Sequence, residues 1–265
     1  MIETELLIIK KIKNHALGNK EEALSLYYLL CDFLKEKYGM LDKNYDENPT
    51  KRGKEWLDIH HILEYELDDI ATRTKNARFI EKKLQNQTEN EVVVVIKSEE
   101  FYDNRKKEAI YKKYLNKNRV YIYALDYSIE ELKPYNLKEK LVYANKIEHF
   151  LLHYLIDSIR GKETFSGGIN YLWDDVVALD LYRFDKDYMN KIKTQKEKFY
   201  SIMSSEEATT LYKKLIDWKK WDLQKCKRYW FNFRNVKQTS SLYIEDKDKF
   251  RGVFGILHYK CNQNV

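Results

Sequence analysis

The sequence predicts an α+β protein, mainly helical, whose core is interrupted by an α/β insertion. Three observations support this. Apolar residues recur at helical spacing over long stretches, as in Leu24, Tyr27, Tyr28, Cys31 and Leu34. The run Glu91-Val92-Val93-Val94-Val95-Ile96 is rich in β-branched residues, which suit a pleated surface. Composition places the chain among folded proteins, with 43% hydrophobic and 14% aromatic residues and two prolines in 265.

Helical patterns open the chain over residues 3–17 and 20–38, and Gly39 ends the second. Residues 43–54 are polar, contain Pro49 and Gly53, and read as a loop. Residues 56–66 follow, carrying Asp58-Ile59-His60-His61-Ile62 on an extended segment. A charged helix over 78–90, the valine-rich strand, a helix over 99–115 and a strand over 119–125 then make an α-β-α-β block. Pro134 marks a break, and 141–159 reads as a strong helix with Ile147, Phe150, Leu151, Tyr154 and Leu155 as its apolar stripe. Beyond Gly161 and the Ser166-Gly167-Gly168 turn, helices are expected over 185–201 and 206–225, then an aromatic, basic tail. The chain divides into a helical region, 1–53, a core, 54–160, with an insertion at about 76–127, and a C-terminal region, 161–265.

Lys and Arg number 48 against 42 Asp and Glu, a net charge of +6 that permits a polyanionic partner without requiring one. Cys31, Cys226 and Cys261 show no CxxC spacing, which argues against a disulfide framework or a cysteine-bound zinc and fits a reducing cytoplasm. The N-terminal residues lack the apolar core of a signal peptide, and no apolar run approaches the roughly 18 residues of a membrane span. A soluble cytoplasmic protein, with no membrane partner, is the expectation.

Four of the six histidines fall into two pairs, His60-His61 and His149 with His153. Positions i and i+4 share a helix face, so His149 and His153 can offer imidazoles to one ion, although a plain helix with two histidines satisfies the same spacing. Adjacent residues on an extended chain point apart, so His60 and His61 can divide metal ligation from proton transfer.

The segment Ile59-His60-His61-Ile62-Leu63-Glu64, together with Glu139-Lys140-Leu141-Val142-Tyr143-Ala144-Asn145-Lys146-Ile147-Glu148-His149-Phe150-Leu151-Leu152-His153, resembles the two halves of an HNH, or ββα-metal, endonuclease of the phage and bacterial type. The resemblance covers about 30 residues and implies a ββα-metal core that cleaves DNA, double-stranded DNA being favoured. It makes His60, His149 and His153 ligands of a divalent ion (Mg, Mn, Zn or Ni) and His61 the general base, facing an open cleft. Where the family has its middle Asn, this chain has Lys140, whose ammonium cannot accept a hydrogen bond. Asn136 takes that place if the strand register is shifted, Asn145 being a further substitute; alternatively Lys140 stabilises phosphate charge, or activity is lost.

Glu148, beside a ligand, is either an acceptor for a ligating imidazole or a solvated helix carboxylate. Lys227, Arg228, Trp230 and Arg234 interleave bases with aromatics and suit nucleic acid, though a half-buried strand gives the same alternation. Lys51, Arg52 and the segment 73–78 are further contacts to consider. Restriction, phage and mobile-element roles all fit, as does a homodimer. The competing expectations are a catalytically degenerate DNA-binding or structural protein that keeps the histidine metal site, and a metal hydrolase acting on another substrate.

Overall fold

In the computed structural model, residues 2–50, 55, 57–117, 119–162, 169, 172–173 and 202–220 are described. All but Lys220 belong to one compact unit, Met1–Lys219. Two helices, α1 (Ile2–Asn14) and α2 (Lys20–Tyr38), lead into it. α2 starts at Asn19, whose side chain accepts from the Glu22 N–H, and stops at Gly39, whose φ of 81° a side chain would resist.

The centre is an antiparallel ribbon of β1 (Asp58–His61) and β4 (Leu141–Ala144), far apart in sequence, with Asp58 opposite Ala144 and His61 opposite Leu141. α7 (Lys146–Arg160) follows β4 at once and packs on both strands and on α2. The sequence reads 141–159 as one helix, and the structure corrects this. Leu141-Val142-Tyr143-Ala144 is a fully buried strand. Asn145 separates the two elements, because its side chain accepts from the N–H groups of Ile147 and Glu148 while Glu148 reaches back to the Asn145 N–H. Most of α7 is buried, since α8 (Ser205–Lys219) covers it from another side with Asp157 and Lys219 ion-paired at 2.7 Å.

Between β1 and β4 the chain makes an excursion through α3 (Ile70–Gln85), β2 (Glu91–Ile96), α4 (Ser98–Phe101), α5 (Asn104–Lys113), β3 (Arg119–Ala124) and α6 (Ile129–Leu132). β2 and β3 are parallel, as a helical crossover requires. The helix expected over 99–115 is broken at Asp103, whose carboxylate accepts from Arg105 and Lys106 and so begins α5 afresh. Two 3₁₀ turns, Lys133–Tyr135 and Lys138–Lys140, return the chain to β4. No helix among the described residues is long and apolar enough to cross a membrane.

Candidate metal centre

Side chains alternate across a strand, so neighbours on β1 face opposite ways. His60 turns toward α7, where its ring lies 5.0 Å from that of His149 and 5.2 Å from that of His153. The two helix residues stand one turn apart with rings 5.1 Å from each other. One ligand nitrogen from each of the three lies within 4.8 Å of the other two, close enough for all to reach one ion. His60 and His153 are buried, and His149 keeps the cluster's partly exposed side.

Hydrogen bonds outside the cluster set the tautomers. The Tyr27 hydroxyl donates to the Ile62 carbonyl at 2.9 Å, and so accepts from His60 Nε2–H at 2.8 Å. The lone pair of His60 is then on Nδ1, which is buried and has no hydrogen-bond partner. Leaving such an atom unsatisfied costs about 1–3 kcal/mol, and a cation removes that cost. His149 Nδ1–H donates to Asp58 Oδ2 at 3.2 Å, which puts the other nitrogen's lone pair toward the cluster. Burial raises the Asp58 carboxyl, but the bond and charge of His149 and the Lys146 ammonium outweigh it and hold it at about 2. Burial keeps His60 and His153 well below the usual imidazole range, reinforced by the neighbouring histidines for His60 and by His149 and Arg160 for His153. Three imidazoles within reach of one point, one of them oriented by a carboxylate, fit a borderline ion such as zinc or nickel better than magnesium.

His61 occupies the other face of the ribbon. Its Nε2 lies 3.1 Å from Asn136 Oδ1, and Asn136 is itself held by Thr74 of α3 through Nδ2 at 2.9 Å. With the proton on Nε2 donated to the amide oxygen, Nδ1 carries the lone pair. The Tyr45 ring packs against the imidazole at 4.4 Å. His61 is therefore only 1% exposed, which overturns the expectation of an open cleft. Three segments distant in sequence close over it. Burial lowers its pKa to about 4 against the opposing effect of the Asn136 bond, with His149 and Lys75 adding to the depression.

Lys140 lies exposed in the turn before β4, and its carbonyl, rather than its ammonium, serves the ribbon by accepting from the Ile62 N–H at 2.8 Å. Asn145 caps α7. Glu148 is neither a solvated carboxylate nor a partner of His149. It is buried, bonded by Lys37 at 2.7 Å, Tyr38 at 3.1 Å and the Asn145 N–H at 2.7 Å. The acceptor for His149 is Asp58, which shares the α7-facing side of β1 with His60, a relation that strand alternation makes readable. Tyr27 and Glu64 carry no local signal. Lys51, Arg52, Lys227, Arg228, Trp230 and Arg234 lie outside the described residues. No protein family, curated protein or solved structure matches the chain.

Proposed function

We propose that this chain is a metal-dependent phosphodiester hydrolase of the ββα-metal (HNH) endonuclease kind, acting on DNA. The observation that carries the reading is the convergence of His60, His149 and His153 between the β1–β4 ribbon and α7, with the buried Nδ1 of His60 lacking a partner. A divalent ion held by these three residues would supply positive charge to a phosphate oxygen and to the leaving 3′-oxygen.

The protein's own residues divide the remaining tasks. His61, next along the strand, accepts a proton from the attacking water at Nδ1, while Asn136 keeps Nε2–H engaged and the ring fixed. In this role Asn136 replaces the family's middle Asn, and Lys140 is not needed. Tyr45 shields the imidazole, so water and substrate reach it only when the segment around Tyr45–Glu47 moves aside. Lys75, exposed on α3 and near enough for its charge to act on His61, supplies a phosphate contact at that entrance.

One observation favours a second reading, a metal-binding protein that does not cleave. His61 is closed off as fully as His60. Plasmid cleavage assayed with Zn²⁺, Ni²⁺, Mn²⁺ and Mg²⁺ separates the two: metal-stimulated cleavage that disappears in His61→Ala supports the hydrolase, and metal binding without cleavage by the wild type supports the second reading.

A further inference from the structure

We propose that Glu64 is a fourth ligand of the same centre, closing a three-histidine, one-carboxylate site for a divalent transition ion. The inference rests on the metal-centre reading and adds to it a residue that leaves no position vacant. Glu64 lies just past β1, where its N–H bonds the His61 carbonyl at 3.0 Å. Arg160, the last residue of α7, bonds the carbonyls of Glu64 and of Tyr65 and pairs with Asp68 at 2.7 Å. This clamp fixes the turn to the helix end and folds the carboxylate back over the histidines.

Glu64 Oε2 lies 3.5 Å from His60 Nδ1 and 3.8 Å from His153 Nε2, with the Glu64 side chain 13% exposed. Bond lengths of about 2.0–2.1 Å around a tetrahedral ion imply ligand separations of about 3.3 Å, so both distances are near those of shared-ion ligands. The three histidines alone have ligand atoms all within 4.8 Å of one another, so binding draws the carboxylate further toward His149. They are too long for hydrogen bonds. The His60 nitrogen facing the Glu64 carboxyl carries a lone pair, by the Tyr27 argument, and has no hydrogen-bond partner. Burial, reinforced by the charges of Asp69 and Asp68, raises that carboxyl to about 8. A divalent cation between them would take the place of the Glu64 proton, and three neutral imidazoles with one carboxylate would leave the bound centre a single positive charge. With Glu64 bound the ion is enclosed, so the hydrolysis proposed above requires Glu64 to give up its place.

Cobalt(II) titration of the full chain tests this by visible absorption, with zinc affinity measured by competition, for wild type, Glu64→Gln and Glu64→Ala. The wild type is expected to give the intense bands of a four-coordinate ion, unaffected by azide. Both variants should bind zinc at least about 10-fold more weakly, the scale seen when even an indirect partner of a metal site is lost. In Glu64→Ala, azide should change the spectrum by entering the opened position. Glu64→Gln keeps the side chain's size, so its metal-free melting temperature shows whether the fold is intact. Equal affinity and identical spectra in all three proteins, with azide perturbing the wild type as well, would overturn the role of Glu64 and leave the three-histidine centre standing. Absence of saturable cobalt binding by the wild type would remove both.

Discussion

His60 and His61 are neighbours on one short strand and equally buried, yet the structure gives them different surroundings. On the α7 side, His60 meets two more imidazoles and a carboxylate, and its lone pair at Nδ1 has no hydrogen-bond partner. On the opposite side, His61 meets an aromatic ring and an amide held in turn by a threonine. The difference teaches that burial alone does not assign a role to a histidine. One face gathers three imidazoles with ligand atoms close enough to reach one ion, and the other fixes a single tautomer by hydrogen bonding.

Substitutions that break this division should rank by which face they touch. His153→Ala is expected to abolish stabilisation by metal. With zinc at 100 times its dissociation constant the wild type should gain about 2.7 kcal/mol of stability, and the variant's melting temperature should not respond. On the other face, His61→Ala should lower cleavage by roughly 10²- to 10⁴-fold while the zinc-induced rise in melting temperature persists. A variant that loses both responses would show that the faces are not separable.

Smaller effects sharpen the comparison. Tyr27→Phe removes the hydroxyl that places the His60 proton on Nε2, and should weaken zinc binding by roughly 10- to 100-fold in a competition assay. Asn136→Ala removes the acceptor for His61 and the partner of Thr74, and should cost about 1–3 kcal/mol in denaturant unfolding with metal affinity unchanged. Lys140→Ala should alter stability by no more than about 0.5 kcal/mol and leave cleavage as it is, since the side chain is exposed and the backbone makes the contact. A large drop in cleavage for Lys140→Ala would restore the lysine to the phosphate site.

The sequence makes part of this arrangement readable because some of it is local. His149 and His153 are one helical turn apart, and the doublet sits on an extended segment, so periodicity alone brings out the candidate ligands. The pairing of β1 with β4 is not readable, because the α/β excursion separates them and residues 141–144 read as part of the following helix. Helical periodicity also extends α7 backward through Leu141-Val142-Tyr143-Ala144, where burial on both faces removes the alternation that marks a strand. The closure of His61 depends on Tyr45, Thr74 and Asn136, from three segments with no common pattern. Tyr27 and Glu64 act through distances that arise only once α2, the turn after β1 and α7 are packed together.

The most direct test is a calorimetric titration of Zn²⁺ into chelator-treated wild type, His61→Ala and His149→Ala under identical conditions. The expected result is one ion per chain for the wild type, the same stoichiometry with nearly the same affinity for His61→Ala, and no saturable binding for His149→Ala. No saturable binding by the wild type, or undiminished binding by His149→Ala, would contradict a metal centre on the α7 face of the ribbon.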